Sequence, residues 1–209
     1  MRPRMTVLAA VVLALGGLGL AGCGQPRTQP GAQQAAESSG PGLTADEVRR
    51  EDATTAWAGG YCAAVSELVR SFSRMPTIDP TTPQQASRTS SELLGVMIGG
   101  LDRTLDGLDR LSRAPLSDGE RIKAQAVSRY VGIRDRAVGA KQQLDAATTE
   151  EASRAAIGSV RAPLEEIGRV SLLDGFDAVP ELKEASLRAP QCKELTDSRD
   201  TARFDPGAS

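Results

Sequence analysis

Apolar residues recur every three or four positions along most of the chain, from about residue 52 to residue 187, and this is the period of an amphipathic α-helix. Prolines, glycines and capping residues divide the pattern into four long segments and a short fifth segment from Pro180 to Leu187. Long helices joined by short connections pack against antiparallel neighbours. The pattern therefore predicts an all-α fold, an up-and-down bundle of four long helices plus a short C-terminal helix.

Capping residues mark where three of these segments begin. Each start combines a Ser or Thr with a Glu or Gln three residues later, which is the arrangement of a capping box. The predicted pairs are Thr82 with Gln85, Ser117 with Glu120, and Thr148 with Glu151. In the fourth segment, Pro163 lacks the N–H that would bond to Ser159, so we predict a kink there.

The N-terminal region has a different pattern. Arg2 and Arg4 precede an uncharged apolar run over residues 7–20, and small residues follow the run. The run is shorter than the roughly 20 residues that a membrane-spanning helix needs. It is typical of a secretory signal peptide, and we expect residues 1–22 to be removed on export.

The four residues Leu20-Ala21-Gly22-Cys23 at the end of that run resemble the lipobox of bacterial lipoproteins. The resemblance implies cleavage between Gly22 and Cys23 and lipidation of the Cys23 thiol. It also implies that the lipid holds the protein on the extracytoplasmic face of the cell membrane. The resemblance covers residues 1–23 only, so it indicates no family for the rest of the chain.

Composition divides the remainder of the chain into three parts. Residues 23–46 are rich in Gly, Pro, Gln and Ser and show no apolar period, so they are predicted to be a disordered tether. Residues 47–195 contain the helical pattern and are predicted to form the bundle domain. Residues 196–209 are predicted to be a flexible C-terminal tail.

The cysteines suggest a covalent link within the predicted domain. The chain has three cysteines, and lipidation of Cys23 leaves Cys62 and Cys192. An even number of remaining cysteines in an exported protein favours a disulfide. A redox or metal-binding pair is the alternative, but the chain has no Cys-x-x-Cys motif and no histidine. We therefore predict a disulfide between Cys62 and Cys192.

The composition also narrows the possible chemistry. Without histidine, the usual base of catalytic triads and the usual zinc ligand are missing, and no phosphate-binding loop is present. Acidic residues are densest at Glu150-Glu151, Glu165-Glu166 and the pair Asp174 and Asp177, which we interpret as surface and helix-end charges. Calcium at the last pair would need further oxygen ligands. We predict no catalytic residue, no metal and no cofactor.

Two local motifs are interpreted as packing features. Gly95 and Gly99 form a G-x-x-x-G pattern in the second helix, and Gly100 follows directly. The pattern predicts close approach of a neighbouring helix or a bend. Helix dimerisation in lipid is the alternative, but the surrounding apolar run over residues 93–101 is too short to span a bilayer. Trp57 and Tyr61 lie one turn apart and are predicted to belong to the core. The chain has one tryptophan, two tyrosines and three phenylalanines, too few for the stacking platforms that bind single-stranded nucleic acid.

Three functions are compatible with these features. The first is a non-enzymatic, membrane-anchored lipoprotein whose bundle binds another envelope or extracellular protein. The second is a carrier that holds a small apolar ligand or lipid in a cavity among the helices. The third is a hydrolase that uses carboxylates alone. We expect the first, because the chain is poor in reactive groups, and we expect neither an enzyme nor a nucleic-acid partner.

Overall fold

The computed structural model describes residues 44–201, with side chains to residue 197. The predicted signal peptide, the Cys23 lipidation site and most of the predicted tether lie outside the described residues. The helices are α1 (Ala45–Phe72), α2 (Pro83–Arg110), α3 (Ser117–Ala146), α4 (Glu150–Ile157), α5 (Arg161–Gly168), α6 (Pro180–Arg188) and α7 (Pro190–Thr201). Residues 44–201 contain no strand, so the all-α prediction is confirmed.

The three long helices are antiparallel neighbours, as predicted. The Trp57 indole near the start of α1 donates a hydrogen bond to the Ser112 carbonyl, just beyond the end of α2. Later in α1, the Ser71 hydroxyl accepts from Arg103, which lies earlier in α2. The corresponding contacts between α2 and α3 join Ser87 to Leu144 and Asp102 to Arg134. In both helix pairs, contacts made later along one helix reach earlier residues of the neighbouring helix, which is the arrangement of antiparallel helices. The helices α1, α2 and α3 therefore run up, down and up.

The predicted fourth helix is interrupted rather than merely kinked. The α-helix stops at Ile157, continues as a 3-10 turn over Gly158–Val160, and resumes as α5. Pro163 is the third residue of α5. The first residues of a helix make no intrahelical N–H bond, so a proline is tolerated there. The break before α5 places Pro163 in such a first turn, where its missing N–H costs no helical hydrogen bond.

The C-terminal region is more ordered than predicted. Two helices, α6 and α7, stand in place of one, and they meet at Ala189. The helix α7 crosses the predicted domain boundary at residue 195 and continues to Thr201. Cys192 and Leu195 lie one turn apart and are both buried, which docks this helix on the bundle. The predicted flexible tail is therefore helical over its first six residues, 196–201.

The domain also begins earlier than predicted. Thr44 caps α1 through a complete capping box that was not predicted from the sequence. The Thr44 hydroxyl accepts from the Glu47 N–H at 3.3 Å, and the Glu47 carboxylate accepts from the Thr44 N–H at 2.7 Å. These bonds satisfy two backbone donors that would otherwise lack partners. Residues 45 and 46, assigned to the tether by composition, are helical.

None of the three predicted capping boxes forms completely. Thr82 caps α2 as expected and accepts from the Gln85 N–H at 3.1 Å, but the Gln85 side chain contacts Arg88 instead of returning to the cap. At the start of α4 the cap is Thr149, one residue later than predicted, and it accepts from the Ala152 N–H at 3.1 Å.

The start of α3 departs furthest from the prediction. Its N-cap is Leu116, and no side chain caps it. Ser117 is already helical, and the Glu120 carboxylate accepts from the Ala114 N–H at 2.6 Å. This bond connects the preceding loop to α3. Because the Glu120 carboxylate accepts from Ala114, it does not form the predicted capping box with Ser117. It is also the main reason that the pKa of Glu120 lies below its usual value.

An aromatic cluster forms one part of the core. The ring centroid of Phe176 lies 5.0 Å from that of Tyr61 and 6.3 Å from that of Trp57. The ring centroids of Trp57 and Tyr61 are 5.7 Å apart. All three side chains are nearly completely buried. The prediction that Trp57 and Tyr61 belong to the core is confirmed.

Candidate functional site

Cys62 of α1 and Cys192 of α7 form the predicted disulfide. Their sulfur atoms are 2.03 Å apart and their Cα atoms 5.0 Å apart, across a sequence separation of 130 residues. Both side chains are at most 1% exposed. The bond therefore joins the first and last helices of the domain and is shielded from soluble thiols, as expected for a structural disulfide.

The structure brings together one cluster of reactive groups that the sequence did not indicate. Lys141 Nζ lies 2.9 Å from Ser91 Oγ and 2.7 Å from Asp145 Oδ2, and the Ser91 hydroxyl also contacts the Asp145 carboxylate. A serine beside a lysine can form a nucleophile and base pair. The i, i+4 spacing of Lys141 and Asp145 is visible in the sequence, whereas Ser91 comes from another helix.

The contacts of this cluster are structural in kind. Lys141 forms an ion pair with Asp145 within α3, and the hydrogen bonds from Lys141 and then from Ser91 lower the pKa of Asp145. Ser91 is also buried within α2. The cluster is therefore a polar cross-link between α2 and α3.

Acidic residues from each of the three dense acidic stretches of the sequence form ion pairs with neighbouring arginine or lysine side chains. The contacts are Glu150 with Arg154, Glu165 with Arg161 and Arg169, Glu166 with Arg136, Asp174 with Arg129, and Asp177 with Lys183. These partners support the interpretation as surface charge. Within residues 44–201, no three acidic or cysteine side chains are grouped in a way that could hold a metal ion.

The glycine motif was assigned to the wrong residues. A Cβ atom at Gly95 would lie 3.7 Å from Lys141 Cε, which is an ordinary contact, and one at Gly99 would meet only Arg103 of its own helix. At the adjacent Gly100, however, a Cβ atom would lie 2.6 Å from Ser71 Cβ. Close approach of α1 and α2 therefore requires Gly100 rather than the predicted pair.

A small cavity of about 10 Å³ lies between α1, α3 and the loop after α5. Tyr61 and Tyr130 line its inner side, and both are about 1% exposed. Burial raises the pKa of Tyr130 to about 12 and raises that of Tyr61 as well. Both phenols are therefore protonated donors at neutral pH. On the outer side, Arg129 of α3 and Asp174 of the loop form an ion pair at 2.8 Å.

A second concave region is an open groove of about 460 Å³ between α1 and the junction of α6 and α7. Its α1 side consists mainly of small residues, among them Gly59 and Gly60. The Gln191 side chain lies over Gly59, where a Cβ atom would come within 2.7 Å of its Oε1. Gln191 is exposed and its side chain is flexible, so a Cβ atom at Gly59 would displace the Gln191 amide rather than α7 itself.

Comparisons with protein-family models, curated proteins and solved structures gave no match for this chain. The fold and the Cys62–Cys192 bond define its class as a disulfide-linked, all-α helical bundle. Over residues 44–201, no helix is both long enough and apolar enough to cross a lipid bilayer.

Proposed function

We propose that this protein is a lipoprotein anchored through Cys23 to the extracytoplasmic face of the cell membrane, and that its bundle is a non-enzymatic module that binds another envelope or extracellular protein. The proposal rests on the different positions of the three cysteines. One follows the apolar run in a lipobox-like motif, and the other two form a buried disulfide. Structural disulfides persist in oxidising, extracytoplasmic compartments.

The interior of the bundle favours a binding surface over a ligand-carrying cavity. Small-molecule sites usually enclose roughly 300 Å³ or more. The enclosed cavity beside Tyr61 and Tyr130 is about 10 Å³, and packed side chains from α1, α2 and α3 occupy the core. The larger concave region, beside Gly59 and Gly60, is open to solvent. Recognition at the surface therefore fits the geometry better than the alternative of an apolar-ligand carrier.

Lipid attachment is tested by replacing Cys23 with serine in the full chain. Unaltered protein should fractionate with membranes and carry acyl mass on its N-terminal peptide, whereas Cys23→Ser should lose both properties. A matched control replaces Cys62 and Cys192 with serine, which should leave the acyl mass in place. Identical membrane fractionation of Cys23→Ser and unaltered protein, with no acyl mass on the latter, would refute the anchor.

Protein binding is tested separately by crosslinking in intact cells. Photoreactive residues are placed on the exposed surface of the anchored domain, and adducts are identified by mass spectrometry. The proposal expects one envelope or extracellular protein to be captured repeatedly from neighbouring positions. Adducts that scatter over abundant proteins, without dependence on the position of the probe, would contradict a specific partner.

A further inference from the structure

One face of α3 is left open to solvent. Arg121, Ala124, Ser128, Gly132 and Asp135 recur every three or four residues, so they lie on the same side of this helix. Gly132 is half-buried and the other four residues are exposed. The core residues of α3 lie on its opposite side. These five residues are called the α3 outer face below.

Packing within the chain does not explain the glycine on this face. A Cβ atom at Gly132 would have as its nearest neighbour the Arg136 guanidinium of α3 itself, at 3.5 Å. Glycine in a helix interior is less favourable than alanine, so it is expected where another backbone approaches closely. With Ala124 and Ser128, which precede it by two turns and one turn, Gly132 forms a strip without large side chains. A second helix can pack on such a strip at short distance.

The residues of the α3 outer face are arranged symmetrically about Ser128. Arg121 lies as many residues before Ser128 as Asp135 lies after it, and the same holds for Ala124 and Gly132. When two copies of α3 pack antiparallel about a two-fold axis through Ser128, each Arg121 faces an Asp135 of the other copy. Each Ala124 likewise faces a Gly132. The face is therefore complementary to itself in charge and in size, as a two-fold symmetric interface requires.

We propose that two copies of this chain associate through the α3 outer face, as an antiparallel dimer centred on Ser128. Within one copy, Arg121 pairs with Asp118 and Asp135 pairs with Arg134, and all four side chains are at least 37% exposed. Ion pairs at such exposure are weak, so both charges remain open to a second partner. The dimer requires neither the lipid on Cys23 nor the binding of another protein, and it therefore goes beyond the function proposed above.

The residue on the two-fold axis gives the direct test. Ser128→Cys is introduced into the full chain, which is oxidised mildly in intact cells. Two thiols on the axis meet, so a covalent dimer should form, and mass spectrometry should find the residue 128 peptide joined to itself. Ser73→Cys is the matched control, because Ser73 is also exposed but lies at the end of α1. Equal dimer yields for the two variants, no dimer, or an adduct of residue 128 with a different protein overturns the proposal.

Charge reversal tests the predicted pairing of Arg121 with Asp135. In the Ser128→Cys background, Arg121→Glu should weaken association by about tenfold, because like charges then meet at both ends of the symmetric contact. Adding Asp135→Arg should restore most of the crosslinking yield, since the two charges have only exchanged places. An unchanged yield for the single reversal, or no recovery in the combined variant, overturns this register.

Two glycines of α3 test the close approach of the helices. Gly132→Leu should weaken dimerisation of the purified full chain by at least about tenfold in sedimentation experiments, because its side chain would fill the space beside Ala124 of the second copy. Gly139→Leu is the matched control. A Cβ atom at Gly139 meets nothing within 4 Å, and this residue lies three turns from the axis, so the change should leave dimerisation intact. Equal effects of the two substitutions overturn the contact at Gly132.

Discussion

Ser87 and Ser90 lie three residues apart on α2 and are both buried, but only Ser87 has a hydrogen-bond partner. The Ser87 hydroxyl donates to the Leu144 carbonyl of α3 at 3.3 Å. The Ser90 hydroxyl is completely buried and is the one side-chain polar atom in the described part of the chain that is buried without a partner. The free energy cost of burying a hydroxyl is recovered only when the hydroxyl is paired.

The first prediction concerns these two serines. Ser90→Ala should raise the free energy of unfolding by about 1 kcal/mol, because it removes an unpaired buried hydroxyl and improves helix propensity. Ser87→Ala makes the same chemical change but loses a bond, so it should be less stable than Ser90→Ala by about 1 kcal/mol. Urea unfolding of both variants measures the difference. Equal effects would show that the unpaired hydroxyl carries no cost.

A second prediction separates the glycines of α2. Gly100→Ala should lower the free energy of unfolding by about 2 kcal/mol, because its Cβ atom would press against the buried Ser71 of α1. Gly95→Ala is the matched control in the same helix. Its Cβ atom has room, so better helix propensity should raise stability by about 0.5–1 kcal/mol. Chemical denaturation gives both values, and a neutral Gly100→Ala would refute the close helix contact.

The disulfide provides a third prediction. Replacing Cys62 and Cys192 with alanine should lower the free energy of unfolding by about 4 kcal/mol, because the bond closes a long loop in the unfolded chain. Hydrogen exchange should increase most in α7, which Cys192 and Leu195 hold to the bundle. A reductant should shift the unfolding midpoint of the unaltered protein but not of the double variant. Unchanged exchange in α7 would contradict its dependence on the bond.

A fourth prediction concerns alkaline pH. Burial raises the pKa of Tyr130 from its ordinary value of 10.0 to about 12 in the folded protein. Between these two values the unfolded chain loses the phenolic proton and the folded chain keeps it, so the unfolded state binds fewer protons. Stability is therefore fully present below pH 10 and falls as pH rises toward 12, by about 2 kcal/mol for this group.

Tyr130→Phe isolates that contribution from the other groups that titrate at high pH. The free energy of unfolding of unaltered protein should fall more steeply than that of Tyr130→Phe between pH 10 and 12. Ultraviolet absorbance of tyrosinate gives the pKa itself. Parallel stability curves for the two proteins, or a phenol that ionises near pH 10, would contradict a buried, neutral Tyr130.

Much of the domain could be predicted because the relevant information is local. The helical period located the long helices, the prolines located their ends, and Pro163 located the break between α4 and α5. The pairing of Cys62 with Cys192 followed from counting once Cys23 was set aside. These features depend on backbone sterics, on solvent exclusion from one helix face, and on the number of available thiols.

Helix caps show where local patterns stop being sufficient. Ser117 and Glu120 have the spacing of a capping box, yet the carboxylate bonds to Ala114 in the preceding loop. The outcome depended on where the loop placed a backbone donor. A motif of two residues cannot contain that information, because a nearby unpaired N–H competes for the same carboxylate.

The amino-acid sequence alone determined which stretches are helical, which face of each helix is apolar, and which two thiols could join. Tertiary structure alone decided that Gly100 contacts α1, that Ser91 meets Lys141, and that Tyr61 and Tyr130 share a cavity. The physical reason is that helix formation follows from spacing along one segment, whereas these contacts depend on the register and separation of two packed surfaces.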